Sequence, residues 1–252
     1  MVKMEMKDVV KNIDLSQIKR ALCVQPHPDD NEIGMGGTIK YLSDLGVEIS
    51  YCTVSKGKGG SNQLSSKELV EIRQKELRDA GESLGAKHFY QLELDDAHYP
   101  DEKELTSLIV DIIRDCKPDV VFTVDPYLLY EAHPTHRKTG MAVLEACLFS
   151  SMKHFPKPDA EILPNTHQVK GVGFYASAHP NTYVDITDTY QSKIQAILKH
   201  KTQFDEQSGQ MIQMYCDMQS RNYGKSNGTE RAEAFKLLPM IMTHMMVESE
   251  TY

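Results

Sequence analysis

Apolar residues along this chain occur in two alternating patterns, short continuous runs and longer stretches with helical spacing. The short runs predict buried strands, and the longer stretches predict amphipathic helices. The predicted strands span residues 21–24, 47–54, 87–92, 119–124, 172–176 and 183–186, and the predicted helices span residues 65–84, 101–116, 135–149, 188–203, 207–220 and 229–238. This alternation predicts a Rossmann-like α/β fold, in which helices cover both faces of a mainly parallel, twisted sheet.

The whole chain, residues 1–252, is predicted to form one domain, because no repeat or low-complexity tract divides it. We place the core at about residues 18–190 and a helical extension at about residues 190–252. Residues 151–168 contain prolines and lysines, which predicts a loop. The extension is rich in methionine, so we expect either adaptable core packing or a homo-oligomer.

Composition and charge exclude several classes of function. The chain has 252 residues, 40% of them hydrophobic and 25% charged, as in ordinary globular proteins. Its net charge of -8 argues against a general nucleic-acid or anionic-membrane binder, which usually has a basic face. No apolar run approaches the ~18 residues of a membrane span, and the N-terminus lacks the apolar core of a signal peptide. The 5 cysteines form no Cys-x-x-Cys pair, so reduced thiols and a cytoplasmic location are expected.

Two clusters of metal-ligating residue types follow predicted strands. His27, Asp29 and Asp30 come directly after the first strand, and residues 131–136, with a glutamate and two histidines, follow the fourth. Ligands of open parallel sheets bind beyond the carboxyl ends of the strands, so both clusters are expected at one edge. Charges gathered there are costly to bury without a partner. Imidazoles and carboxylates without cysteine are typical of a catalytic divalent-metal site rather than of structural zinc.

A structural role remains open for each cluster when it is considered alone. Asp30 or Asn31 could cap the following helix, and His27 could be a core imidazole with internal partners. His133 and His136 could belong to a loop or to the start of a helix. The occurrence of two such clusters after two core strands favours the metal site.

The segment 26–37, PHPDDNEIGMGG, resembles the signature of the LmbE-like, or PIG-L, family of zinc-dependent N-acetylglucosaminyl deacetylases. Weaker similarities follow in the family's order along the chain. They are residues 53–57 (TVSKG), 73–77 (RQKEL), 117–125 (KPDVVFTVD), 133–136 (HPTH), 180–187 (PNTYVDIT) and 232–235 (AEAF). The resemblance therefore covers about residues 20–238.

This resemblance implies a role for each residue of the two clusters. His27, Asp30 and His136 would ligate one Zn²⁺, although other divalent metals suit the same ligands. Asp29 would be the general base that acts on water at the zinc. His133 would stabilise the developing oxyanion or protonate the leaving amine.

Two further residues are expected to bind the substrate. Arg73 lies on the apolar stripe of the predicted helix 65–84 and therefore needs a partner or a ligand. The resemblance implies that it contacts sugar hydroxyls, whereas an ion pair with Glu76 is the structural alternative. His179 follows a predicted strand and could reach the same sheet edge, although an exposed loop histidine explains it equally well.

One position departs from the family pattern. The family often has His-Pro-Asp-His in its second segment, and this chain has Thr135 in place of the aspartate. The missing carboxylate would have oriented a neighbouring imidazole, so its absence affects the protonation state expected for His133. Thr135 could instead cap the next helix.

Taken together, the resemblance implies hydrolysis of the N-acetyl amide of a GlcNAc-containing substrate, which releases acetate and a free amino sugar. Two other functions remain open. One is an amidase that acts on a thiol-sugar conjugate, and the other is a non-enzymatic module that binds a sugar phosphate or a nucleotide. Bound metal and a released acyl acid would distinguish these possibilities.

Overall fold

The computed structural model describes residues 6–95, 101–155 and 165–252. Its strands are β1 (Arg20–Gln25), β2 (Glu48–Ser55), β3 (Ala86–Leu94), β4 (Val120–Val124), β5 (Gly171–Tyr175), β6 (Thr182–Asp185) and β7 (Ala232–Pro239). Its α-helices are α1 (Met6–Val9), α2 (Asp30–Asp44), α3 (Ser66–Leu84), α4 (Glu102–Cys116), α5 (Pro134–Phe149), α6 (Tyr190–Ile197) and α7 (Glu206–Asn227). Short 3₁₀ helices occur at Leu15–Gln17, Met240–Thr243 and Val247–Glu250.

Within the described residues, the seven strands form one sheet in the order β3-β2-β1-β4-β5-β7-β6. The five strands from β3 to β5 pair in parallel, and β7 pairs antiparallel with both β5 and β6. β4 is buried along its whole length, which explains its continuous apolar sequence. The prediction of a mainly parallel sheet is confirmed.

Helices cover both faces of the sheet, as predicted. On one face, Ile39 of α2 and Leu77 of α3 pack with the strands in one core cluster. On the other face, Ile109 of α4 and Val143 of α5 pack in a second cluster. The helix ends agree with their sequence signals: Ser65 forms the expected capping box of α3, for example.

The C-terminal part differs from the prediction. The helix predicted over residues 229–238 is wrong, because β7 occupies this region and lies inside the sheet. The strand carries two buried charges, which hide its apolar character: Glu233 accepts a hydrogen bond of 2.6 Å from Lys193, and Lys236 donates to two backbone carbonyls. The sheet therefore extends beyond the predicted core boundary at about residue 190.

Two helix ends differ by less. Helix α6 ends at Ile197, before the predicted residue 203, whereas α7 continues to Asn227, beyond the predicted residue 220. Of the predicted loop over residues 151–168, residues 156–164 lie outside the described residues, and the rest has neither helix nor strand. The prediction of a single domain over the whole chain remains a prediction.

The strand order places a crevice at the edge of the sheet. The chain proceeds from β1 outward to β3 and then crosses to β4 on the other side of β1. The direction of winding thus reverses between β1 and β4. In open α/β sheets, ligands bind beyond the carboxyl ends of the strands at such a switch point.

Candidate metal centre and active site

The loop between β1 and α2 supplies the first group of site residues. The Oδ2 atom of Asp30 accepts a hydrogen bond of 2.8 Å from the backbone amide of His27, and it lies 3.4 Å from the Nδ1 atom of the same histidine. Asn31 is fully buried, and its side chain donates to the carbonyl of Cys23 in β1. The N-terminus of α2 has no capping hydrogen bond from a side chain, so the alternative that Asp30 or Asn31 caps this helix is wrong.

The loop between β4 and α5 brings the second group to the same place. The Nε2 atom of His136, in the first turn of α5, lies 3.6 Å from Oδ2 of Asp30. Its other ring nitrogen, Nδ1, lies 3.2 Å from Oε2 of Glu131. A carboxylate can only accept this bond, so Nδ1 carries the proton and Nε2 presents a lone pair toward Asp30.

These residues have a geometry that fits a small divalent cation. Each of His27, Asp30 and His136 offers one ligand atom, and these atoms all lie within 4.8 Å of one another. Zinc ligands at tetrahedral angles are about 3.3 Å apart, given bonds of about 2.0 Å. The two observed separations from Asp30, 3.4 and 3.6 Å, are close to this value. Because the three side chains are 12%, 15% and 20% exposed, solvent or a substrate can also reach the site.

The charge of Asp30 suits a metal ligand. Burial alone would raise the pKa of its carboxyl group, but the hydrogen bond from His27 and the neighbouring imidazoles outweigh burial and hold the pKa below its usual range. The group is therefore ionised at neutral pH, as metal coordination requires.

Asp29 adopts a backbone conformation that few residues tolerate, with a φ of 124°. Its Oδ2 atom lies 3.3 Å from an Nη2 atom of Arg73. Burial, followed by the adjacent charge of Asp30, raises the pKa of Asp29 from 3.8 to about 7. A carboxyl group with a pKa near neutrality, beside a group of metal ligands, suits general acid–base catalysis.

Arg73 is buried, and its guanidinium group contacts Asp29, Gly57 and Pro28. It donates through Nη1 to the carbonyl of Gly57 at 3.0 Å and through Nη2 to the carbonyl of Pro28 at 2.7 Å. Gly57 has a φ of 61°, and a side chain there would collide with the guanidinium, so glycine is required. The alternative that Arg73 forms an ion pair with Glu76 is wrong, because Glu76 instead accepts hydrogen bonds from the amide and the hydroxyl of Thr202. That Arg73 contacts sugar hydroxyls stays a prediction.

His133 forms the N-cap of α5, and its Nδ1 atom accepts a hydrogen bond of 3.3 Å from the backbone amide of Thr135. In the neutral ring the proton is therefore on Nε2, which can donate to an oxyanion. The ring centroid lies 4.6 Å from that of His27 and 5.0 Å from that of His136. The alternative that Thr135 caps the helix is wrong, because Thr135 is inside the first turn.

His179 is exposed in the segment after β5, where its backbone amide donates to the hydroxyl of Ser177. His179 lines a cavity that is also lined by Asp125, the residue after β4. Both residues lie at the same edge of the sheet as the metal ligands. Its role in substrate binding stays a prediction.

Some residues of the site have no role in the sequence prediction. Glu131 is part of the predicted second cluster, but only the structure shows that it contacts His136. Glu32, in the first turn of α2, is fully buried; it accepts a hydrogen bond of 2.9 Å from Tyr51 and lies 3.3 Å from His200. No local pattern indicates this group, because His200 is distant in sequence from the other two residues.

The fold and the site define a class of protein before any comparison is made. A doubly wound sheet with three histidines, two aspartates and a buried arginine at its switch point is an arrangement suited to metal-dependent hydrolysis. The sequence model of the PIG-L family, described as GlcNAc-PI de-N-acetylase, matches residues 22–147. The chain belongs to this family, which confirms the prediction of an N-deacetylase.

Individual relatives agree with this assignment. A diacetylchitobiose deacetylase of Thermococcus kodakarensis is 35% identical over 93% of this chain and 88% of its own length. A probable N-acetyl-α-D-glucosaminyl L-malate deacetylase of Bacillus cereus is 30% identical over 73% of this chain and 84% of its own. Among solved structures, N,N'-diacetylchitobiose deacetylase from Pyrococcus horikoshii, in complex with an inhibitor, has a TM-score of 0.90 and 35% identity, covering 98% of this chain and 94% of that one.

In the described ranges, no helix combines the length and the apolar character needed to cross a bilayer.

Proposed function

We propose that this chain hydrolyses the N-acetyl amide of a GlcNAc-containing substrate, with one Zn²⁺ held by His27, Asp30 and His136. The observation that carries the proposal is the convergence of these three side chains, from loops distant in sequence, within 4.8 Å. A cation held there would polarise the amide carbonyl and acidify a water molecule. Other divalent cations suit the same ligands, so the metal's identity is part of the proposal.

Asp29 is the residue best placed to act as general base. Its carboxyl group precedes the ligand Asp30 directly, but it is paired with Arg73 instead of with the imidazoles. Two adjacent carboxylates thus have different partners, and this suits two different roles. Arg73 fixes the position of Asp29 and favours its charged form, in which it can accept a proton from the attacking water.

His133 completes the proposed machinery from the opposite loop. With its proton on Nε2, it can donate to the oxygen that becomes negative during attack on the amide, and it can then protonate the leaving amine. The backbone amide of Thr135 donates the hydrogen bond that selects this tautomer, so the missing carboxylate at Thr135 does not prevent the role. Arg73 and His179 are proposed to contact the sugar.

The relatives support an amino-sugar glycoside or conjugate as the substrate. The two similar proteins are named for diacetylchitobiose and for GlcNAc-malate, in which the N-acetyl group is carried on a GlcNAc ring. The amidase on a thiol-sugar conjugate has no separate supporting observation. The non-enzymatic binding module is disfavoured, because recognition alone does not need a carboxylate beside a group of metal ligands.

Three further expectations stay predictions within this proposal. They are a homo-oligomer, a cytoplasmic location and the absence of nucleic-acid binding. The exposed side chains of Met211, Met214 and Met218 share one face of α7, which is compatible with a subunit contact.

The proposal is tested with purified protein whose metal content has been measured. N-acetylated GlcNAc derivatives are incubated with the metal-loaded and the chelator-treated protein, and acetate and free amine are quantified. We expect equal amounts of both products, and only with the metal-loaded protein. The His136→Ala variant should lose the metal and the activity together, whereas an exposed histidine variant, His88→Ala, should retain both. Acetate release that survives removal of the metal would refute the proposal.

A further inference from the structure

A cavity of about 730 Å³ lies between helix α5, the end of β5 and the segment that follows β7. Its walls are mostly apolar. They include Leu144 of α5, Phe174 of β5, Leu238 of β7, and Met242 and Met246 of the C-terminal segment. This volume lies within the range of roughly 300–1,000 Å³ that small-molecule sites occupy.

Part of this cavity lies at the same sheet edge as the metal ligands. Asp125, which directly follows β4, and His179, which follows β5, both line it. The strand β1, which leads to His27, is the other neighbour of β4. Adjacent strands are about 4.8 Å apart, so the ends of β1 and β5 are separated by roughly 10 Å. Helix α5 also joins the two places, because it carries His136 in its first turn and Leu144 farther along.

The polar groups in the walls are largely engaged by the protein itself. Lys236 donates to the carbonyls of Glu250 and Tyr252, at 2.9 and 3.1 Å. Asp125 accepts from the amide of Tyr127 at 2.9 Å, and the hydroxyl of Ser177 accepts from a backbone amide. A second sugar ring would bring many hydroxyl groups to a surface that offers few donors and acceptors for them, which is unfavourable.

We propose that this cavity binds an apolar substituent at the anomeric carbon of the substrate, so that the preferred substrate is an alkyl or aryl glycoside of GlcNAc. The anomeric carbon is bonded directly to the carbon that carries the N-acetyl group. When the amide is at the metal ligands, a substituent of about six carbons has the length needed to pass along the sheet edge into the cavity. His179, which lines the cavity at this sheet edge, would contact the glycosidic oxygen or the sugar.

The inference rests on the proposed deacetylase function and is tested through it. The wild-type protein, loaded with Zn²⁺, is assayed for amine release with the methyl, propyl, butyl and hexyl glycosides of GlcNAc and with N,N'-diacetylchitobiose. Each fully buried methylene contributes up to about fourfold to affinity. Since burial in an open cavity is incomplete, we expect kcat/KM to rise about tenfold from the methyl to the hexyl glycoside.

Two substitutions on helix α5 test whether the dependence of kcat/KM on alkyl length arises in the cavity. Leu144→Gln replaces a cavity side chain by a polar one of similar size and helix propensity, so we expect the hexyl-to-methyl ratio of kcat/KM to fall toward one. Leu148→Gln, one turn farther along α5 and also half-buried, does not line the cavity and should keep the wild-type ratio. Met246→Ser, on the opposite wall of the cavity, should also lower the hexyl-to-methyl ratio. It replaces Leu144→Gln in the test if that variant does not fold.

The possible outcomes separate this inference from the proposed function. A flat series of alkyl glycosides, with N,N'-diacetylchitobiose turned over as fast or faster, overturns the inference and leaves the deacetylase function intact. The same holds if sedimentation shows that Leu144→Gln dissociates an oligomer without changing the ratio, because the cavity wall then belongs to a contact between copies. No amine release from any substrate overturns the proposed function, and the inference with it.

Discussion

The two loops that form the candidate metal centre are held in different ways. The loop after β1 is fixed by contacts from distant parts of the chain: Arg73 donates to the carbonyl of Pro28, and Gln25 connects the loop to β2 through Thr53. The loop after β4 is held mainly by its own turns. Glu131 accepts from the amide of His133 at 2.7 Å, and Tyr130, with a φ of 109°, is 95% exposed.

This difference indicates that the two loops have different roles in the site. The carboxylates of Asp29 and Asp30 are held by partly buried hydrogen bonds from His27 and Arg73, so their relative positions are set once the core has folded. The imidazoles of His133 and His136 depend on a local turn that is open to solvent and includes a strained, exposed tyrosine. The first loop is thus suited to constant geometry, and the second is suited to adjustment when a substrate binds.

Removal of the proposed base should have the largest effect. We expect Asp29→Asn to lower kcat by about 10³-fold, because general base catalysis is lost while the shape of the side chain is kept. Asparagine also tolerates the positive φ of 124° at this position. Metal content should stay near that of the wild type. Substantial turnover by a variant that still binds metal would rule out the assignment of Asp29.

The arginine below the first loop should have the next largest effect. Arg73→Met removes the guanidinium hydrogen bonds to the carbonyls of Gly57 and Pro28 and removes the arginine cation that is paired with Asp29. We expect the free energy of unfolding to fall by about 3 kcal/mol, as for other broken buried ion pairs, together with a loss of activity. Urea denaturation measures the change.

The matched control is Arg78→Met on the same helix, where the side chain is exposed and lies over the ring of Phe89. It should cost less than about 1 kcal/mol, which is typical of a surface substitution. Equal losses in the two variants would contradict the view that Arg73 anchors the first loop.

The same contrast explains how much the sequence could predict. The first loop was predictable because its residues are contiguous and follow a strand with a continuous apolar run. Helix α3 was predictable with its caps, since Ser65 and Glu68 form a local signal. The convergence of His27 with His136 followed from the general rule for strand ends. These predictions rely on short-range patterns or on topology.

Other features depend on contacts that no local pattern shows. Strand β7 contains good helix formers and two charged residues. It becomes a strand because β5 and β6 pair with it and because Glu233 accepts a hydrogen bond from Lys193. The structural alternative for Arg73 was an ion pair with Glu76, three residues along the helix, but the tertiary fold offers Asp29 as its partner instead. Tertiary context decided both cases against local preference.

The contact that holds the second loop should have a smaller effect than the buried arginine. Glu131 uses both carboxylate oxygens, Oε1 for the amide of His133 and Oε2 for Nδ1 of His136. In Glu131→Gln only one acceptor oxygen remains, so both bonds cannot form. We expect metal affinity to fall by about 10- to 100-fold, as for other partners of metal-binding histidines. Competition with a chelator measures this change.

The control for that experiment is Glu71→Gln, at an exposed position of α3, which should keep the wild-type affinity. The free energy of unfolding without metal should change little in either variant, because the second loop has few buried contacts. An unchanged metal affinity in Glu131→Gln would show that the loop positions His136 without this carboxylate.

The last prediction concerns the pH dependence of stability in the metal-free protein. The pKa of Asp29 is raised from 3.8 to about 7 by burial and by the charge of Asp30. Between about pH 4 and 7, the native state therefore keeps a proton that the unfolded chain has released. The free energy of unfolding should fall as the pH rises through this interval, by at most about 1.4 kcal/mol per pH unit.

The Asp29→Asn variant lacks this titration and isolates its contribution. Urea denaturation in the presence of a chelator, at pH 5, 6 and 7, should show that the stability of the wild type decreases relative to that of the variant at each step. Near and above pH 7 the difference should become constant, because both states are then ionised. Parallel curves for the two proteins would mean that the Asp29 carboxyl titrates in the native state as it does in the unfolded chain, and that the first loop does not shield it from water.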